Sequence, residues 1–121
     1  MKHSEQFTAK ARAAIERARL AAMDFGSSNV GTEHLLLGVA GEKDSMGAKL
    51  LRDSGFVEPR LREEVRRQTG KQIAPPTMGL SANAREAIRK GAEDARRLGH
   101  LYVGTEHILL GILRLPLRIG R

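Results

Sequence analysis

The stretch VGTEH stands at Val30–His34 and returns letter for letter at Val103–His107. Its surroundings return with it. A shift of 73 residues, the distance from Phe7 to Leu80, lays FTAKARAAIERARLAAMDFGSSNVGTEHLLLGV at 7–39 over LSANAREAIRKGAEDARRLGHLYVGTEHILLGI at 80–112 without a gap. Ala11/Ala84, Arg12/Arg85, Ala14/Ala87, Ile15/Ile88, Ala22/Ala95, Gly26/Gly99 and Gly38/Gly111 are identical pairs within it. Self-similarity over such a span is the mark of one supersecondary unit used twice, so the periodicity of that unit decides the fold.

In the first unit Phe7, Ala11, Ala14, Ile15, Ala18, Ala22 and Phe25 recur at three- and four-residue steps, a single apolar stripe along a helix. Thr8 is the expected N-cap and Gly26 the expected left-handed residue after the last turn. SSNVG then makes a short loop, and Thr32 is the expected N-cap of a second helix carrying Leu35, Leu36, Val39 and Ala40. A third, short helix is predicted around Met46, Ala48, Leu50 and Leu51, stopping near Gly55. A fourth opens at Pro59, with Val57, Leu61 and Val65 as its stripe and Gly70 as its end. KQIAPPTMG at 71–79 reads as a linker, because two prolines cannot continue a helix.

The second unit repeats the first helix at about 81–98 and the second at about 105–113. LRLPLRIGR at 113–121 lacks the periodicity of a third and fourth helix. The expected fold is all-α and pseudo-symmetric: a first repeat at 1–70 with four helices, a linker at 71–79, and a second repeat at 80–121 with about two. Apolar faces around Ile88, Leu98 and Ile108 are expected to lose part of their cover, which favours a homodimer or helix exchange between chains.

Composition agrees with packed helices. The 121 residues suffice for one domain with a modest core or two very small subdomains. Aromatic residues make up only 3%, so Ala, Leu, Ile and Val must fill the interior. The absence of cysteine excludes disulfides and thiolate chemistry. The N-terminus has no apolar core of a secretion signal, and no apolar run reaches membrane-spanning length, so the chain is expected to be cytoplasmic without a membrane partner. A net charge of +7 suits nucleic acid, acidic proteins or anionic ligands as partners.

No phosphate-cradling loop and no HExxH motif occur, and His3, His34, His100 and His107 have no carboxylates at metal-ligand spacing. Neither catalysis nor a metal or other cofactor is expected. The GTEH block admits two roles. In the structural one, Thr32 and Thr105 cap helices, Glu33 and Glu106 favour the positive end of the helix dipole, and the histidines close a contact between helices. In the other, Thr32, Glu33, Thr105 and Glu106 bind a ligand: the carboxylates receive a guanidinium beside helix N–H groups that receive an anion. The arginine-rich faces (Arg62, Arg66, Arg67; Arg85, Arg89, Lys90; Arg96, Arg97) are interspersed with acids and lack interleaved aromatics. They read as solvated surface, which leaves a basic nucleic-acid-binding protein as the alternative.

On the duplicated pattern, and most tellingly on RLGHLYVGTEHILLGIL at 97–113, the sequence resembles the Clp repeat domain, the N-terminal domain of Clp/Hsp100 ATPases, nearest to the ClpC type. The resemblance runs from about Phe7 to Leu113. It implies an all-α fold of two four-helix repeats and a non-catalytic protein-binding module of the Clp unfoldase/protease system that docks adaptor and substrate proteins. It also implies recognition of phosphoarginine in ClpC-like members, with the guanidinium held at positions that match Glu33 and Glu106, next to Thr32 and Thr105. The 121 residues include no AAA+ module, so no ATP hydrolysis is expected of them. LRLPLRIGR stands where the family has a Gly-Glu-Gly turn and its last two helices.

Overall fold

Helix α1, Ala9–Asp24, begins where Thr8 Oγ1 accepts the Ala11 N–H at 3.0 Å and ends before Gly26, whose φ is 71°. Helix α5, Ala82–Arg97, repeats both signals: Ser81 Oγ accepts the Ala84 N–H at 3.0 Å, and Gly99 has φ 80°. Between them lie α2 (Thr32–Gly41), α3 (Met46–Asp53) and α4 (Glu58–Thr69), and after α5 comes α6 (Thr105–Leu113). The computed structural model of the chain describes residues 6–69 and 79–115. Among these residues the fold is all-helical, with four helices in the first unit and two in the second. The expected end of α4 at Gly70, nearly all of the linker at 71–79, and residues 116–121 of the tail lie outside the described residues.

Each unit is built on a helix pair that touches backbone to backbone. Ala11, Ala14, Ala18 and Ala22 form the buried face of α1, and α2 lies across it. A Cβ added to Gly38 would stand 2.0 Å from the Ala14 carbonyl oxygen, and one added to Gly111 only 1.8 Å from that of Ala87. In the second pair Gly91 faces the His107 carbonyl oxygen in the same way, and a Cβ there would stand 2.3 Å from it. With methyl groups on one helix and glycine on the other, the chains come close enough for Leu35, Leu37, Ile108 and Ile112 to fill the remaining space without large aromatics.

The units are joined reciprocally. Phe7 forms a single-residue parallel bridge with Val103 of the second unit, and Leu80 forms its counterpart with Val30 of the first. Thr8 N–H donates to Val103 O at 3.0 Å and Val103 N–H to Gln6 O at 2.9 Å. The matching pair is Ser81 N–H to Val30 O and Val30 N–H to Gly79 O, both 2.9 Å. Helix α3 also crosses between units: the Gly47 N–H donates to Thr105 Oγ1 at 2.8 Å, and α3 packs on α6. Helix α4 stays on α2, with Leu61 and Val65 buried beneath it.

Three expectations change. Gly31 and Gly104, not Thr32 and Thr105, are the N-cap residues of α2 and α6. Val57 is 40% exposed and lies outside the α4 stripe. Ile108 is fully buried on a helix that packs against α5, α3, α2 and α1, while Leu98 is exposed as expected and Ile88 is partly buried against the core.

The backbone contact yields a direct test. Gly111→Ala should lower the unfolding free energy by about 2 kcal/mol or more, since the added methyl meets a carbonyl oxygen rather than a flexible side chain. Urea denaturation measures it, and an unchanged midpoint would contradict the close approach.

Candidate functional site

In each VGTEH copy the valine is buried as the bridge residue, the glycine is the N-cap, and Thr, Glu and His fill the first three helical positions. The capping work falls to the histidine. His34 Nδ1 accepts the Gly31 N–H at 2.9 Å, and His107 Nδ1 accepts the Gly104 N–H at 2.9 Å. A ring nitrogen that accepts carries no proton, so the proton of each neutral ring sits on Nε2. That nitrogen donates to Ser27 Oγ at 3.3 Å in the first unit and to His100 Nδ1 at 2.7 Å in the second. Burial holds both histidines below the ordinary imidazole range, against the opposing pull of Glu33 on His34 and of Glu106 on His107.

Backbone angle does not require the glycine, since φ is −95° at Gly31 and −101° at Gly104. Each glutamate folds back over its glycine: a Cβ on Gly31 would lie 2.6 Å from Glu33 Oε1, and one on Gly104 2.5 Å from Glu106 Oε1. The G and E of the motif are thus one feature, a carboxylate laid over a bare backbone at a helix start.

Around Glu33 this opens a polar cup of about 250 Å³, lined among others by Ser28, Asn29, Thr32, Glu33, Ser81 and Asn83. Ser81 is the N-cap of α5 and Asn83 lies in its first turn. Two helix N-termini, those of α2 and α5, therefore border one carboxylate. The positive ends of both dipoles and their N–H groups suit an anion, and the carboxylate suits a cation.

The second copy is arranged differently. Thr105 is buried and its hydroxyl oxygen accepts the Gly47 N–H, which ties it to α3. The Tyr102 hydroxyl donates to Glu106 Oε2 at 3.2 Å, and the nearby carboxylate raises the phenol's pKa. The Tyr102 ring stacks on His100 with centroids 5.4 Å apart. Of the four residues singled out in the sequence, Thr32 and Glu33 line the cup, Glu106 lies against Tyr102, and Thr105 is enclosed. Sequence reasoning does not reach Ser81 and Asn83 as cup residues; the signal that could find them is the pairing of the two units, which brings the start of α5 to Val30. Among the described residues no His/Cys/Asp/Glu cluster could hold a metal ion, and no helix is long and apolar enough to cross a membrane.

Residues 6–117 match the model of the Clp repeat N-terminal domain family. The chain is 38% identical over 110 residues to the Bacillus subtilis (strain 168) negative regulator of genetic competence ClpC/MecB, covering 90% of this chain and 14% of that protein. It is 40% identical over 112 residues to the chloroplastic chaperone protein ClpC3 of Oryza sativa subsp. japonica, covering 91% and 12%. It therefore spans only a small part of the length of these relatives. The fold superposes on the N-terminal domain of the caseinolytic protease associated chaperone ClpD from Arabidopsis thaliana with TM-score 0.77 at 27% identity, over 94% of this chain and 79% of that one. The N-domain of ClpV from Vibrio cholerae shares the fold at TM-score 0.76 and 16% identity, over 90% and 67%.

The two buried histidines predict a pH dependence. Above about pH 6.5, the unfolded imidazole value, both states keep the rings neutral and this contribution is fully present. Below it the unfolded chain takes up protons that the fold resists, so stability falls as pH drops toward the lowered folded values. Tm should fall between about pH 7.5 and about pH 5.5. The fall should shrink in His34→Gln/His107→Gln; an equal fall in that variant would assign the effect elsewhere.

Proposed function

The chain belongs to the Clp repeat N-terminal domain family, and on that premise we propose that it is a binding module that docks adaptor or substrate proteins of the Clp system and recognises phosphoarginine at the Glu33 cup. The observation that carries the proposal is the single carboxylate bordered by two helix N-termini. A phosphorylated guanidinium joins planar N–H donors to an anionic phosphate within one side-chain head. Glu33 accepts the N–H groups, and the first turns of α2 and α5 face the phosphate. Plain arginine lacks the anion, and phosphoserine lacks the donors, so each satisfies half of the cup.

Glu106 makes a weaker second site in this reading. A ligand there competes with the Tyr102 hydroxyl for the carboxylate, and the enclosed Thr105 offers it nothing. The module is non-catalytic: it binds and presents, and its residues are assigned no bond-making step. Nucleic acid draws no comparable support, because arginines on the helix faces are engaged in ion pairs such as Arg89 with Glu86 and Glu93, Arg19 with Glu16, and Arg62 with Glu58 and Asp24.

Calorimetry with a phosphoarginine peptide, beside the same peptide carrying arginine or phosphoserine, tests the proposal. The phosphoarginine peptide should bind tightest. Glu33→Ala should weaken it by about tenfold or more, the scale of one lost charge-assisted hydrogen bond, and Glu106→Ala by less. Equal affinity for the three peptides would overturn phosphoarginine recognition.

A further inference from the structure

The two VGTEH loops differ in what they set against the histidine and the glutamate. Ser27 and Asn29 precede the first copy where His100 and Tyr102 precede the second. In the first unit the buried His34 ring meets Ser27 Oγ, a hydroxyl that does not titrate. In the second the buried His107 ring meets another imidazole: its Nε2 lies 2.7 Å from His100 Nδ1. Tyr102 packs into the same corner. Its ring is nearly parallel to that of His100, at 5° and 5.4 Å, and meets His107 edge-on at 5.2 Å, while its hydroxyl donates to Glu106 Oε2.

Two imidazoles joined in this way hold one proton between their facing nitrogens. The Gly104 N–H can only donate, so His107 Nδ1 must accept and the ring proton must stay on Nε2. His100 Nδ1 must then be bare. If it gains a proton, two N–H groups face each other, and His107 cannot change tautomer without giving up the Gly104 bond. The contact has to break. His107 is 0% exposed in the first turn of α6, whereas His100 is exposed on the loop after Gly99, so His100 is the ring that leaves. Among the described residues the ionisable groups that act on His107 are His100, Glu106 and Asp94 of α5, which also bonds Arg97 and Arg114. Burial, together with the His100 ring, holds His107 below the ordinary imidazole range against the pull of Glu106 and Asp94, which directs an added proton to His100.

We propose that the His100–His107 bridge is a proton-operated latch on the second carboxylate. With one proton between the rings, His100 holds Tyr102 against Glu106 and that carboxylate is occupied. When His100 becomes an imidazolium it swings out of the bridge, the Tyr102 ring loses the face it stacks on, and Glu106 is free for another donor. Histidine is the side chain that changes charge between about pH 5 and about pH 8. The first unit, with serine in place of His100, has no such latch, so acidification distinguishes the two glutamates. The latch belongs to the protein alone and does not depend on what Glu106 then binds.

Nuclear Overhauser contacts in the unliganded, isotopically labelled chain test it, since Tyr102 is the one tyrosine of the sequence. At about pH 8 the Tyr102 ring should contact the Glu106 Hγ protons, and by about pH 5.5 that contact should vanish in step with double protonation of His100 in imidazole nitrogen spectra. His107 should keep its single Nε2 proton until His100 has titrated. His100→Phe keeps a ring for Tyr102 to stack on but takes no proton, so there the contact should persist across the same range. His100 is exposed, and a thermal melt of the variant checks that the fold persists. The proposal is overturned by a contact that survives protonation of His100, that is absent or equally pH-sensitive in His100→Phe, or that gives way to a His100–Glu106 contact. Protonation of His107 before His100 would overturn it as well. Failure of phosphoarginine binding would leave it standing.

Discussion

The structure depends on two places where one helix backbone rests on another, Gly38 on the Ala14 carbonyl and Gly111 on that of Ala87. A methyl group on either glycine would strike the facing carbonyl oxygen. The helix axes are thereby fixed at a separation that an alanine-faced helix tolerates and a leucine-faced one would not. A core with only Phe7 and Phe25 as its phenylalanines, in a chain without tryptophan, becomes sufficient, because the helices themselves occupy the volume that aromatic rings would otherwise fill. The short α1–α2 and α5–α6 connections follow from the same closeness. Each turns at a left-handed glycine, buries one valine and delivers a glutamate to the start of the next helix.

The valine bridges link this local geometry to the whole. Val30 and Val103 each lend their backbone to the segment that opens the other unit, so neither unit is complete by itself. The bond from Ser81 N–H to Val30 O also brings the first turn of α5 beside Glu33. One interaction therefore joins the repeats and assembles the cup. Helix α3 extends the exchange by packing on α6, whose Ile108 is fully buried.

Much of this is legible in the residues. The alanine stripe from Ala11 to Ala22, the caps at Thr8 and Gly26 and the duplicated VGTEH block are local signals, and local signals place helices well. The cap of α2 is not, because Thr32 is the better capping type by propensity. What decides the matter is burial of His34, which turns its Nδ1 onto the Gly31 N–H. The partners of Glu33 are also hidden, since Ser81 and Asn83 reach it through the pairing of two distant segments rather than through any nearby pattern. The burial of Ile108 escapes a reading of the sequence for the same reason: its helix packs on elements of both units.

The central claim is that Glu33 and the N-termini of α2 and α5 act as one receptor. Amide shift mapping of the isotopically labelled chain during titration with free phosphoarginine tests it most directly. The amides of Thr32, Glu33, Ser81 and Asn83 should move together along a single binding isotherm. Shifts confined to one of the two helix starts, or found only around Glu106, would contradict it.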